Sequence, residues 1–459
     1  MTSLYTQIAS GLVFPVHEWA KGHRSVALRR QLERSQWWPR ERLESHRVAR
    51  LRGFLQQIGR SVPYYRDLFA RERFVPDQLN SVSDMARLPL LTKALIRAHS
   101  EALKSTSAGP LSSYNTGGSS GEPLIFYMDK ARKSHDVAAK WRATRWWGVD
   151  IGDPELVVWG SPIELGAQDR IRRLRDGLLR SHLLPAFEMS PSNLDGFVAT
   201  IRRVRPKMLF GYPSSLALIA GHARKTGVRL DDLGIRVAFV TSEKLYDNQR
   251  CIIGEAFACP VANGYGARDA GFIAHECPSG RLHISAEDVV VETIRADGSR
   301  CAAAEPGEIV VTHLATPGFP FLRYRTGDIG VLSDEACPCG RGLPVLKEVQ
   351  GRSTDFVVAA DGTVMHGLAL IYTVRDLPGV EQFRIEQQSL GRTVVELVTN
   401  ADFAAQGEMR IVRDFKARLG EEVDVVVRRV QEIAREKSGK YRYVVSRVNI
   451  EGMVRHAHS

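Results

Sequence analysis

The sequence predicts an α/β fold: a large, multi-layer N-terminal domain with mostly parallel sheets, followed by a small, mobile α+β C-terminal domain. Three observations predict it. At 459 residues the chain is long enough for two or three domains of ~100–200 residues each. From about residue 110 onward, short apolar runs alternate with helix-like stretches. Beyond Arg352 the pattern changes.

The elements follow in chain order. Residues 1–105 read as a helical lead-in, interrupted at Trp37-Trp38-Pro39 and Pro63-Tyr64-Tyr65. The runs Glu155–Trp159, Met208–Gly211, Val237–Thr241 and Val289–Ile294 read as strands. Several end in Gly, Pro or Ser before a helix-like stretch, which is the βα alternation of a mostly parallel sheet. The C-terminal pattern begins with a hairpin over Asp355–Val364, turning at Asp361-Gly362. A helix follows, then a strand at Val394–Val398, a helix at 408–419 and a strand at Val423–Val430. The resulting domains are 1–350, a hinge at 351–355, and a lid at 356–459. There is no internal repeat and no low-complexity stretch.

Composition excludes several classes. With 44% apolar and 25% charged residues the chain is neither disordered nor collagen-like. No window approaches the ~18–20 apolar residues of a membrane helix, and the start lacks a cleavable leader's pattern, so no membrane span and a cytoplasmic location are expected. Six cysteines are too few for a disulfide scaffold. The net charge is +11, and residues 21–60 hold eleven Lys or Arg against three Glu. That segment reads as a solvated helical face, with no nucleic-acid partner expected. The cluster Trp141, Trp146 and Trp147 reads as helix packing.

Four loops carry chemistry. Thr116-Gly117-Gly118-Ser119-Ser120-Gly121 is rich in backbone N–H groups and hydroxyls that suit a polyphosphate, and it lacks the lysine of a Walker loop. Asn263-Gly264-Tyr265-Gly266-Ala267-Arg268-Asp269, after an apolar strand at Cys259–Ala262, offers an aromatic face for adenine and a carboxylate for a phosphate-bound metal. Tyr324-Arg325-Thr326-Gly327-Asp328 places a carboxylate where it can accept two ribose hydroxyls. Lys437-Ser438-Gly439-Lys440 puts a lysine on a glycine-bearing loop.

In this order and at these separations, the four loops resemble the signature series of the adenylate-forming (ANL) superfamily of acyl-CoA synthetases, adenylation domains and luciferases. The resemblance runs from about residue 45 to 450. Val62-Pro63-Tyr64-Tyr65-Arg66, Cys337-Pro338-Cys339-Gly340-Arg341 and Gln382-Phe383-Arg384 resemble the phenylacetate–CoA ligase-like branch, and within it the CapK-like members of capsular polysaccharide biosynthesis.

The resemblance implies an acid ligase that forms an acyl-adenylate from ATP, with Mg²⁺. Thr116, Ser119, Ser120 and Gly121 would hold the β- and γ-phosphates. Tyr265 and Gly266 would face adenine, bordered by Ser242 and Glu243. Asp269 would ligate Mg²⁺, Asp328 the ribose and Arg352 ribose or phosphate, while Lys440 would bridge the attacking carboxylate and the α-phosphate. Trp159–Pro162 and Gly211–Ser214 lie where the branch builds its acyl pocket, and Tyr212 would line it. Asp269 stands where the superfamily has Glu, and Asp355–Gly367 departs from the pantetheine-path pattern. CoA is the expected acceptor. A sugar, an amine or a carrier protein is the alternative, and a non-catalytic nucleic-acid-binding protein on the same fold is the rival of a different class. The small-molecule acid is unnamed by the sequence, and monomer and homodimer stay open.

Cys277-x₅-His283 and Cys337-x-Cys339 supply four soft or borderline ligands, a set suited to tetrahedral structural Zn²⁺. His275 is the fallback ligand.

Overall fold

The computed structural model describes residues 3–116, 124–159, 170–185, 191–352, 356–361, 364–366, 368–375, 377–434 and 442–448. They form two compact units. One comprises residues 1–326 with 330–350, and the other residues 327–329 with 351–459.

The first unit opens with helices, as the lead-in predicts. Leu4–Ile8, a π-helical turn at Ala9–Val13 and Phe14–Ala20 run in succession, followed by Ser25–Ser35, Arg40–Ser61 and Pro63–Arg71. The two expected interruptions have a simple cause. Pro39 caps Arg40–Ser61 in extended backbone, and Pro63 takes the first helical position, where its missing N–H costs nothing. Arg40–Ser61 buries Leu43, Leu51, Phe54, Leu55 and Ile58, the apolar stripe that ties it to the core.

Thirteen strands of this unit are described. They are β1 (Ser112–Asn115), β2 (Ile125–Met128), β3 (Glu155–Trp159), β4 (Ser181–Pro185), β5 (Met208–Gly211), β6 (Val237–Thr241), β7 (Val261–Ala267), β8 (Gly271–Glu276), β9 (Leu282–Ile284), β10 (Val289–Ile294), β11 (Pro306–His313), β12 (Tyr324–Ser333) and β13 (Val345–Arg352). β1 and β2 pair antiparallel on their own. The rest form one eleven-stranded sheet in the order β10-β11-β12-β13-β9-β8-β7-β6-β5-β3-β4.

The parallel pairing expected for the alternating segment is confined to β4-β3-β5-β6-β7. There, helices such as Pro213–Lys225 and Asp247–Phe257 intervene between successive strands. From β7 to β8 and β9 the pairing is antiparallel, because the connections shorten to turns, and β9 then pairs antiparallel with β13, about sixty residues on. All five residues of β6 are buried, as befits a strand covered on both faces.

Helix Lys130–Trp146 is anchored to this sheet by an ion pair without solvent access. Arg142 donates to Glu287 Oε1 at 2.7 Å and to Ser285 Oγ at 3.1 Å, and Ser35 Oγ donates to the same Glu287 oxygen at 2.7 Å. The tryptophans of this helix do pack: Trp141 meets Phe14 edge-on at 5.0 Å, and Trp147 donates to the Glu276 carbonyl at 3.0 Å.

The second unit contains the hairpin β14 (Phe356–Val358) and β15 (Val364–His366), with Val358 paired to Val364. Helix Leu368–Arg375 follows. Its four-stranded sheet has the order β18-β17-β16-β19, with β16 at Val380–Ser389, β17 at Arg392–Thr399, β18 at Asp424–Arg429 and β19 at Val444–Ser446. Helix Ala405–Leu419 links parallel β17 and β18, burying Ile411, Phe415 and Leu419 at four-residue spacing. Buried Gln387 acts as a surrogate strand edge: its amide accepts from Val358 N–H at 2.9 Å and donates to Val358 O at 2.6 Å.

Candidate functional site

Three loops distant in sequence meet at the ends of β1, β7 and β12. At the neck of the glycine-rich loop, Thr116 N–H donates to Leu124 O at 3.0 Å, and Leu124 N–H donates to Thr116 Oγ1 at 2.9 Å. The Thr116 hydroxyl thus pins the two ends of the loop together. Ser119, Ser120 and Gly121 lie outside the described residues.

The strand expected at Cys259–Ala262 starts later and runs to Ala267, so Asn263–Ala267 is itself strand. Tyr265 sits on it, half-buried against the core, and the β7/β8 register shifts between Tyr265 and Gly266. A shift of this kind re-aims the side chains around it. Asp269 follows in the turn to β8 and is nearly buried. Its Oδ2 accepts from the Tyr324 hydroxyl at 2.6 Å, and its Oδ1 accepts from Ala270 N–H at 3.1 Å.

The turn is held from behind by buried Arg132, which donates to Asp269 O and Arg268 O, each at 3.3 Å, and pairs through Nε with Asp136 at 3.0 Å. From the front, Arg268 donates to the Asn115 carbonyl at 3.4 Å, which sets the neck of the phosphate-type loop beside the carboxylate turn. Each Asp269 oxygen retains a lone pair after these bonds, which fits a hard cation such as Mg²⁺.

Ser242 lies just past β6 with φ of 71°, a left-handed backbone that turns the chain sharply. Glu243 Oε2 then accepts from Ser214 N–H at 3.2 Å, in the first turn of helix Pro213–Lys225, where a carboxylate is favoured by the helix dipole. Tyr212 caps that helix and is buried, its ring stacked on Trp159 at 4.4 Å. Asp328 lies on β12, four residues beyond Tyr324, and belongs to the second unit. Arg352 ends β13. Lys440 and residues 353–355 lie outside the described residues. Sequence reasoning named the motif of Tyr324 without giving that residue a role, and missed Arg132, whose function depends on burial that no local pattern reveals.

Cys277, His283, Cys337 and Cys339 converge, their ligand atoms all within 4.8 Å of one another. The sequence uses one device twice. Cys277-Pro278-Ser279-Gly280 and Cys337-Pro338-Cys339-Gly340 each close with the fourth residue's N–H donating to the cysteine carbonyl, at 2.8 and 3.1 Å. Each glycine takes positive φ, 74° and 78°, where a Cβ would be strained.

Cys277 Sγ and Cys337 Sγ stand 3.7 Å apart, against about 3.8 Å for the edge of a tetrahedron with Zn–S bonds near 2.3 Å. His283 Nδ1 contacts Leu343 O at 3.1 Å, which fixes the proton there and turns the Nε2 lone pair toward Cys339 Sγ, 3.2 Å away. Burial lowers the His283 pKa to about 4, so the ring is neutral and able to donate that pair. Burial pushes the Cys337 thiol up to about 12, so it stays protonated unless a bound cation takes the place of the proton. His275 is buried elsewhere, between Phe239 and Phe272, outside this cluster.

Comparison with known proteins gives these features a context. Residues 357–447 match the CapK C-terminal domain. Protein CapK of Staphylococcus aureus is 23% identical over 410 residues, which cover 87% of this chain and 88% of that protein. A phenylacetate–coenzyme A ligase of Thermus thermophilus is 24% identical over 331 residues, 70% of this chain and 72% of the ligase.

The relatives of this chain include CapK and phenylacetate–coenzyme A ligases.

Its fold is that of the adenylate-forming ligases. The crystal structure of 2-hydroxyisobutyryl-CoA ligase in the postadenylation state, in complex with R3-HIB-AMP, superposes with a TM-score of 0.73. That match is 20% identical in sequence and covers 92% of this chain and 94% of the ligase chain. An O-succinylbenzoate coenzyme A synthetase from Bacillus subtilis, in complex with AMP, superposes at 0.50, with 18% identity over 72% of this chain and 67% of the synthetase chain.

Proposed function

We propose that the chain is an AMP-forming acid–thiol ligase: it activates a small carboxylic acid with ATP to an acyl-adenylate and then transfers the acyl group to CoA. The observation that carries the reading is the meeting of the Thr116 neck, the Tyr265–Asp269 turn and Tyr324 through the Arg268–Asn115 and Tyr324–Asp269 hydrogen bonds. These bonds draw the neck of the phosphate-type loop and an oriented carboxylate to the strand end that carries the Tyr265 ring, a set that suits a nucleotide.

In this reading the acid's carboxylate oxygen attacks the α-phosphate and pyrophosphate leaves. The chain's contribution is positioning and charge stabilisation. Tyr265 and Gly266 face adenine, with Ser242 and Glu243 bordering the pocket. Asp328 takes the ribose hydroxyls and Arg352 the ribose or a phosphate. Thr116, Ser119, Ser120 and Gly121 hold the leaving phosphates. Lys440 places one compact cation between the carboxylate and the α-phosphate. Mg²⁺ would supply further charge neutralisation when bound, and Asp269, oriented by Tyr324, would be its protein ligand. Tyr212, stacked on Trp159, lines the acyl side. Lys440 belongs to the C-terminal lid domain, for which residues 351–355 are the proposed hinge.

The Cys277, His283, Cys337 and Cys339 cluster is read as a structural zinc site: its four ligands leave no open coordination position, and the ion would clip β9 to the turns at 277–280 and 337–340. We place the reaction in the cytoplasm. No helix among the described residues is long and apolar enough to cross a membrane.

A second reading keeps adenylation and changes the acceptor to a sugar, an amine or a carrier protein. It is favoured by the match of residues 357–447 to the CapK C-terminal domain and by the departure of Asp355–Gly367 from the CoA-ligase pattern. Pyrophosphate release from Mg-ATP, measured over aryl, aliphatic, amino and sugar acids with and without CoA, tests both. Acid-dependent release that rises further with CoA supports the thioester ending. Acid-dependent release indifferent to CoA moves the assignment to the second acceptor class. Release that ignores the acid altogether refutes both readings.

A further inference from the structure

The N-terminal helices place an apolar stripe on the outside of the protein. Leu4, Ile8, Leu12, Val16 and Trp19 are all exposed, with Trp19 at 78%, Leu4 at 73% and Leu12 at 61%. In a regular α-helix each four-residue step overshoots a full turn by about 40°. The wider π-turn at Ala9–Val13 takes back that drift midway and keeps the five residues on one side.

The opposite face is firmly seated. Thr6 Oγ1 donates to Asp153 at 2.9 Å, Ala9 packs on Gly152, Phe14 meets Trp141, and buried Glu18 contacts His23 and Ser25. The helix is therefore held rigidly with its larger apolar side chains turned away from the core, the reverse of an ordinary surface helix. Alongside it, Tyr5 donates to Leu178 O at 2.8 Å, which brings helix Arg170–Leu178 next to the stripe and adds exposed Leu174 and Leu178. The combined surface is on the order of a few hundred Å², the range in which exposed patches mark interaction sites.

The charges around it are predominantly basic, and Asp176, on the helix that supplies Leu174 and Leu178, is paired with Arg175. Residues 3–24 contain a single acidic side chain, Glu18, and it is buried. Lys21 and Arg24 follow the Trp19 end, where Lys130 also approaches Gly22. At the other end the Arg180 guanidinium lies 5.3 Å above the Tyr5 ring.

We infer that this face docks on the surface of an anionic lipid bilayer, the apolar stripe entering the boundary between headgroups and acyl chains while Lys21, Arg24, Lys130 and Arg180 meet the headgroups. Trp19 sits at the end of the stripe, the place an amphipathic ring takes at a membrane–water interface. A second copy of the chain fits less well, because two such faces would bring like charges together. The inference is independent of the adenylation reading.

Co-sedimentation of the full chain with phosphatidylcholine vesicles, with or without ~30% phosphatidylglycerol, tests it. The wild type is expected to partition at least about tenfold more strongly onto the anionic vesicles, and less so as salt rises. Leu12→Glu combined with Trp19→Glu should lose that binding while keeping the wild-type melting temperature and ATP affinity, because both positions are exposed. Lys21→Glu should weaken binding to anionic vesicles alone. Absence of partitioning by the wild type, or undiminished partitioning by the double variant, overturns the inference. So does a lipid-free dimer that the double variant turns into a monomer, which would make a second copy the occupant.

Discussion

Tyr324→Phe is the sharpest probe of the site, because it deletes one oxygen and little else. The Tyr324 ring is buried and lies 4.8 Å from Phe321, so phenylalanine keeps the packing and opens no cavity of consequence. What disappears is the 2.6 Å hydrogen bond to Asp269, a nearly buried carboxylate. A hydrogen bond to a charged group contributes roughly 1.5–3 kcal/mol, and about 1.4 kcal/mol is a factor of ten. Asp269 keeps its bond from Ala270 N–H, and it would be freer to swing away from the metal position.

If that orientation is used in the reaction, acid-dependent pyrophosphate release should fall about 10- to 100-fold. The apparent Mg²⁺ requirement should rise, and urea stability should drop by no more than about 3 kcal/mol. Steady-state kinetics at several Mg²⁺ concentrations, alongside a denaturation curve, read these quantities separately. A Tyr324→Phe protein with unchanged stability and unchanged Mg²⁺ dependence would refute the claim that this hydroxyl orients Asp269.

Other perturbations bear on the rest of the account. Cys339→Ser should reduce zinc, measured by elemental analysis of purified protein, from about one ion per chain to a small fraction, with a lower melting temperature; full zinc content in the variant would remove Cys339 from the ligand set. Arg142→Met strands the buried Glu287 carboxylate and should cost roughly 3–5 kcal/mol in urea denaturation, whereas adding Glu287→Gln should recover much of it. Acid should weaken the fold in a defined window. Burial holds the His313 pKa well below 6.5, so as pH falls below that value the unfolded chain gains a proton that the folded chain refuses. The His313 contribution is therefore fully present above pH 6.5 and declines by up to about 1.4 kcal/mol per pH unit below it, alongside those of buried His275 and His283, and His313→Gln should reduce the slope by the His313 share alone.

Much of the architecture is legible in the sequence because it rests on local rules. Pro39 and Pro63 mark helix starts through their own φ, and the apolar run Val237–Val240 marks a strand covered on both faces. In the second unit, the Asp361-Gly362 signal and the spacing of Ile411, Phe415 and Leu419 point to a hairpin and a helix that are present. Strand β16 was overlooked although Phe383, Ile385 and Gln387 alternate inward; its third inward residue is a polar glutamine that only the Val358 backbone explains.

The antiparallel half of the large sheet was also hidden. Strand direction is a long-range property, and β9 pairs with β13 some sixty residues away in sequence. At the site, the pairs of cysteine-knuckle ligands were visible as motifs, and their convergence was not. The Asp269 environment shows the same limit: Asp269 itself stands in a recognisable motif, while Arg132 and Tyr324 reach it from residues 137 and 55 positions away.

The central claim is that this chain activates a carboxylate with ATP, and acid-dependent ATP–pyrophosphate exchange tests it most directly, because exchange reports the reversible adenylation step without needing the acceptor. The account predicts exchange that depends on a particular class of acid in the wild type and is abolished in Lys440→Ala, with ATP binding by calorimetry retained in the variant. Exchange that persists at the wild-type rate in Lys440→Ala, or that runs without any acid, would contradict it.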